Sequence, residues 1–308
     1  MGDAGGGFGS GFEVVTARNQ EERSSGPGTG SPTPAHLTKI LYIPHHEEGT
    51  SHVSVAEVTA QYKESVKERG MGSASYVVAL GRMPKPQAGG TEQATEENAA
   101  LYNVEFKDAA LTLKSVASSS NAESLVEANV TIESAKDKAA IIKFKSREKD
   151  SVDQTEDTAI SMSISSPIPP TSFRKKVYVY PFFAFQIPGE DKTYLEWQIH
   201  PVSQGRLRYT LVRVPQKHET VEGAAPSIPL EKDILAIYHH IGDTVSFPLP
   251  TSEGALLLST DMSPETEAIV LASVLGLLWQ LRQISKSGKG PGADRKVSKF
   301  FKGLLNKK

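Results

Sequence analysis

Three histidines, His45, His46 and His52, lie close together with Glu47 and Glu48 between them. Imidazole and carboxylate are common ligands of transition metals, so this is the first place to look for chemistry. The spacing is not that of an H-E-x-x-H helix, and a zinc-finger pattern would need cysteines that the chain lacks. The segment reads as a polar loop. His239 and His240 adjoin in a segment that reads as a strand, where neighbouring side chains point to opposite faces. They cannot both hold one ion without a bulge, and an inward histidine there is expected to be hydrogen-bonded in the core.

Other motifs carry less. Gly288-Lys289-Gly290-Pro291-Gly292 is glycine-rich, but it follows a helix rather than a strand, lacks phosphate-loop spacing and reads as a linker. Gly5–Gly9 belongs to a low-complexity stretch, and no G-x-S-x-G elbow occurs. Glu190-Asp191 is an acidic pair in a turn, and a pair alone does not imply acid–base catalysis. With no cysteine there is no disulfide framework, thiolate metal site or thiol nucleophile. No catalytic, cofactor-binding or metal-binding residue is assigned, and no cofactor is expected.

The sharper feature is the segment 294–308. Val297, Phe300, Phe301, Leu304 and Leu305 recur at helical spacing, and Lys296, Lys299, Lys302, Lys307 and Lys308 fill positions between them. A basic amphipathic helix of this kind suits an anionic phospholipid surface. It equally suits a protein partner's groove or the chain's own domain, and Gly303 weakens it as a helix. The net charge of −2 gives no global basic field, so nucleic acid is not an expected partner.

Around these features the chain divides into three parts. Residues 1–35 are rich in Gly, Ser and Pro and read as a disordered tail, not a signal peptide. Residues 36–284 read as one domain in two β-rich halves, 36–145 and 173–284, joined by a flexible loop over 146–172. Residues 285–308 form the basic tail. Leu37–Ile43 is a β-prone run. Ser54 and Glu57 match a capping box, and Val55, Val58, Tyr62 and Val66 follow at helical spacing, which predicts an amphipathic helix over 54–69. Ser75–Gly81, Leu101–Phe106, Ala110–Val116, Val126–Glu133 and Lys138–Lys145 read as strands. So do Val177–Ile187, Thr193–Ile199, Leu207–Val214, Ile234–Ile241, Thr244–Leu249 and Ala255–Ser259. Pro188–Asp191 is the turn of an expected hairpin.

The last element is a helix over Pro264–Ile284. Ser263 is its expected N-cap, Pro264 its first residue, and Glu265 and Glu267 lie where a helix favours negative charge. From Ala268 to Trp279 it is apolar on every side, so it must be surrounded by protein or lipid. That run is 12 residues, short of the roughly 20 that cross a bilayer. A buried core helix is expected and a transmembrane helix is not.

Tyr194–Trp197, Arg206–Tyr209, Ala236–His240, Glu253–Leu258 and the helix Glu267–Arg282, all within about 173–284, resemble the tubby C-terminal-like superfamily, which includes tubby, LURP-one-related and scramblase-like proteins, and most of all its fungal members. The resemblance implies a mainly β (α+β) fold. In it a closed antiparallel β-barrel of about 12 strands surrounds a central hydrophobic C-terminal helix, here with one extra amphipathic helix near residues 54–69. It also implies a scaffold without demonstrated enzyme chemistry, some of whose relatives bind phospholipid. The expected function is a non-enzymatic interaction scaffold in the cytoplasm, peripheral to a membrane through its tail. The alternatives are a scramblase-like lipid-handling protein and an enzyme of unrecognised type.

Overall fold

The computed structural model describes residues 32–86, 100–107, 110–116, 124–132, 139–148, 158–165, 182–187, 193–200, 208–215, 231–241 and 251–286. In chain order the elements are β1 (Lys39–Glu47), β2 (His52–Glu57), α1 (Thr59–Val66), α2 (Ala74–Gly81), β3 (Ala100–Lys107) and β4 (Ala110–Ser115). Next come β5 (Ser124–Ile132), β6 (Ala139–Glu148), β7 (Thr158–Ser165), β8 (Phe182–Gln186) and β9 (Thr193–His200). The last are β10 (Arg208–Pro215), β11 (Ile234–His240), β12 (Thr251–Leu258) and the long helix α3 (Pro264–Lys286).

All pairings are antiparallel between chain neighbours, β2 through β12, and β1 returns to lie beside β12. β1 pairs with β12 from Lys39↔Leu258 to Glu47↔Thr251, with an irregularity between Ile43 and His46. β1 and β2 meet only along a thin seam. Only Leu41↔Glu57 and Tyr42↔Ala56 are in register, so the ladder does not continue over Ile43–Glu47. β7 and β8 also share a short ladder, Ser163↔Ala184 to Ser165↔Phe182.

Strand alternation sorts the side chains into two cores. On the inner face, Leu41, Ile43, Val53, Val55, Tyr102, Val104, Leu113, Val130, Leu195, Trp197, Leu211, Tyr238 and Leu256 pack with α3. Ten strands contribute to this core, and from α3 it takes Ala268–Ala272, Val274, Leu275, Leu277 and Leu278. Burying the seven large aliphatic residues of α3, from Ile269 to Leu278, is worth on the order of 10–20 kcal/mol before ordering entropy is subtracted. Within the sheet α3 leans towards β5 and β6 rather than lying equidistant from all strands. On the outer face, Ile40, Tyr42, Val212, Ile237, Ala255 and Leu257 are covered by Val58, Tyr62, Val66, Met71, Tyr76, Leu80 and Met83. Helices α1 and α2 are therefore a flap over one side of the sheet.

The expected fold is corrected by this arrangement. The structure does not bear out a closed barrel of about 12 strands around a central helix, because the β1–β2 ladder has only two register positions, with none over Ile43–Glu47, and α3 sits off-centre. The single helix expected over 54–69 is also wrong. Ser54 and Glu57 belong to β2, whose alternation of buried Val53 and Val55 with exposed Ser54 is that of a strand. The helix begins only at Thr59, where Thr59 Oγ1 accepts from Ile40 N at 3.0 Å and donates to Glu57 at 2.7 Å.

The strand expected over Ser75–Gly81 is helix α2. Ser73 Oγ accepts from Tyr76 N at 3.2 Å, and Tyr76 and Leu80, one turn apart, are its buried residues. The stretch 146–172, read as a loop between halves, contains β7 and the end of β6. Residues 177–181 and 244–249, read as strand, lie outside the described residues.

Candidate functional site

The described polar chemistry lies in the sheet and along α3, in three groups. Near the N-terminus of α3, Glu267 is buried and accepts from Lys39 Nζ at 2.8 and 2.9 Å and from Tyr102 Oη at 2.8 Å. This carboxylate ties α3 to β1 and β3. Burial and the neighbouring carboxylate push the Tyr102 phenol well above its ordinary range. The helix start is as the sequence suggests, with Ser263 Oγ accepting from Thr266 N at 3.2 Å. Midway along α3, Trp197 Nε1 donates to Ser273 Oγ at 2.8 Å, and Ser273 donates to the Val270 carbonyl at 2.7 Å.

The second group is on the outer face. Glu253 of β12 accepts from Tyr42 Oη at 2.8 Å and pairs with Lys85 Nζ at 2.5 Å. Lys85 follows α2, so this pair fastens the flap to the sheet. Burial, then Glu253, raise the Tyr42 phenol. Exposed His45 lies 3.8 Å from the same carboxylate. Deeper under the flap, Tyr62 and Tyr76 hydroxyls meet at 2.9 Å, and His239 packs its ring 5.0 Å from that of Tyr76.

The third group is on the inner face at the other end of α3. Arg282 is 4% exposed, and its Nη1 donates to Ser252 Oγ at 2.7 Å. Burial lowers the guanidinium to about 10. His46 is 1% exposed, is the cross-strand partner of Ser252, and stacks on Phe106 with ring centroids 5.5 Å apart. Its Nδ1–H donates to the Pro44 carbonyl at 2.8 Å, which leaves Nε2 as a bare acceptor with no hydrogen-bond partner among the described residues. Burial first, and then Arg282, hold His46 at about 4, so it is neutral near pH 7. Tyr238 donates to the Glu253 carbonyl at 3.1 Å and faces His240 Nδ1 at 3.3 Å.

The histidines singled out in the sequence are thus scattered. His45 faces outward to Glu253, His46 inward to Phe106, and His52 is exposed with its Nδ1 2.9 Å from Ser51 Oγ. His239 and His240 take opposite faces, as strand geometry requires. Among the described residues no group of three or more His, Asp or Glu side chains could hold a metal ion. Lys296, Val297, Lys299, Phe300, Phe301, Lys302, Leu304, Leu305, Lys307 and Lys308 lie outside the described residues, as do Glu190-Asp191 and Gly288–Gly292.

Sequence reasoning missed Arg282, Ser252, Glu253 and the inward role of Glu267. Glu267 looked like an ordinary first-turn acid and Arg282 like the polar end of an apolar run. The one available signal was position: Glu267 and Arg282 flank a helix whose intervening residues are apolar on all sides.

Among the described residues, no helix is long and apolar enough to cross a membrane. Comparison with protein-family models, with curated proteins and with solved structures finds no match for this chain.

Proposed function

We propose that the protein is a non-enzymatic interaction scaffold that reaches an anionic membrane surface through residues 294–308. One observation carries the scaffold reading: the buried polar side chains act as ties between elements. Glu267 holds Lys39 and Tyr102, Glu253 holds Tyr42 and Lys85, Ser273 holds Trp197, and Ser252 holds Arg282. Such ties fix one arrangement of sheet, flap and helix. The membrane reading rests on the alternation of Lys with Phe, Leu and Val in 294–308. A scramblase-type role would bring α3 to the bilayer, yet the apolar side chains that would meet lipid are packed on the strands.

Co-sedimentation with vesicles containing phosphatidylserine tests the proposal, using the full chain and a chain ending at Ser287. Each basic residue held near an anionic surface contributes about 1 kcal/mol. Removing the tail is therefore expected to weaken binding more than about tenfold, and added salt should weaken the full chain likewise. Equal binding by both chains, or no binding by either, overturns the membrane reading.

A further inference from the structure

We infer that the end of the sheet around His46 is an acid-sensitive latch, in which protonation of this one side chain loosens β1 from β12 and uncovers Arg282. The inference starts from where the sheet is weakest. β1 and β2 are consecutive strands, yet they share only two register positions, both remote from the turn that joins them. Beyond Tyr42, β1 is held chiefly by β12, and the ladder there is itself irregular between Ile43 and His46. His46 and Ser252 form the next pair after that irregularity. The His46 ring fills the inner side of this place by stacking on Phe106 of β3.

This ring is the wrong one to charge. Its Nε2 is buried without a partner, so a proton added there gains no acceptor among the described residues. The groups around it offer no compensation. α3 contributes Arg282, already a cation, whose bond to Ser252 is to a neutral hydroxyl. β11 contributes Tyr238 and His240, and β12 contributes Ser252. The Glu253 carboxylate of β12 lies on the outer face with Tyr42, Lys85 and His45. β3 contributes Phe106, and its neighbours Glu105 and Lys107 are exposed, as is Glu47 on β1. No described carboxylate is among the influences on His46, while Arg282, His45 and His240 all oppose its protonation.

The sign follows from linkage. The folded state resists the proton and the opened state accepts it, so the closed form loses stability as pH falls from about 6.5 towards 4. Opening also relieves the repulsion between a protonated His46 and Arg282, which opposes that proton in the closed form. A latch at this end leaves α3 and its core in place, since those contacts lie along the helix from Ala268 to Leu278.

Hydrogen exchange of the full chain, expressed as protection factors, reads the latch directly. Between pH 7.5 and 5, the amides of Ile43, His45, His46, Glu47 and Thr251–Glu253 should lose protection by about tenfold or more, one proton permitting at most about tenfold per pH unit. Ile269–Leu278 should keep theirs. His46→Phe retains a ring to stack on Phe106 and cannot take the proton, so its protection should be flat over this range. His46→Gln, polar and non-titrating, should behave likewise and serves if the Phe variant does not fold. The proposal is overturned if the wild type and both variants show the same loss, or if the loss follows His240→Gln instead. Loss of protection throughout the chain at one pH also overturns it.

Discussion

Replacing Leu275 by Asp is expected to abolish cooperative unfolding, leaving a chain with no folded baseline by circular dichroism. Leu275 is fully buried on α3, in the core shared by the helix and ten strands. The substitution removes a large apolar side chain, which alone costs about 2–5 kcal/mol. It also places a carboxylate where no described cation is free to meet it. Lys39 is engaged with Glu267 at one end of the helix, and Arg282 with Ser252 at the other. An unpaired buried charge adds several kcal/mol more, and the sum reaches the roughly 5–15 kcal/mol by which domains are stable at all. Leu275→Met, near in volume and apolar, should cost less than about 1.5 kcal/mol and controls for handling. A soluble Leu275→Asp protein with an unchanged melting temperature would show that α3 is not an interior element.

The second large effect is expected at Gly254. A Cβ built there would fall against Cε2 and Cζ of the Tyr238 ring, closer than non-bonded carbons come. Tyr238 cannot swing aside cheaply. It is fully buried in the inner core, and its hydroxyl donates to the carbonyl of Glu253, the residue before the glycine. Gly254→Ala must therefore displace the ring, strain the strand, or break that bond. Overpacking costs about 1–3 kcal/mol and the lost bond about 1 more, so a loss of about 3 kcal/mol in a urea titration is expected. Tyr238→Leu in the same chain should recover part of it, because the clash disappears with the ring. Additive losses in the double variant would show that the ring and the glycine do not meet.

Legibility in the sequence differed by element, for physical reasons. α3 was readable because one stretch carries everything that specifies it: Ser263 before Pro264, acids in the first turn, then residues apolar on every side. The hairpin of β8 and β9 was readable from two β-rich runs around Pro188–Asp191, and the structure pairs Phe183↔Trp197 through Gln186↔Tyr194. In the segment 52–81 local pattern and structure disagree in both directions. The Ser54…Glu57 spacing matches a capping box, and Val55, Val58, Tyr62 and Val66 fit one helical face. Only the last three lie at the helix, and Val55 is a strand residue facing the inner core. In α2, Val77 and Val78 favour a strand locally, yet a Ser73 cap and the burial of Tyr76 and Leu80 against the outer face decide for helix.

The third polar group could not have been read from local pattern at all. It joins His46, Phe106, Ser252 and Arg282 from four separate elements. Its character depends on which face each strand residue takes, and so on register. Adjacent His45 and His46 illustrate the point, one exposed beside Glu253 and the other buried against Phe106. The same dependence separates Glu253 from Ser252, neighbours that serve opposite faces of β12.

α3 packs inside the folded sheet, its apolar side chains against strand residues. The chain has no cysteine, so Val274→Cys would carry its only thiol, at a fully buried position and with little change in volume. The direct measurement is the rate at which a water-soluble thiol reagent labels this variant, with and without vesicles containing phosphatidylserine. Labelling is expected only at the rate of global unfolding, unchanged by vesicles even when the tail holds the protein on them. Rapid labelling in solution that vesicles suppress would place α3 in the lipid and contradict that packing.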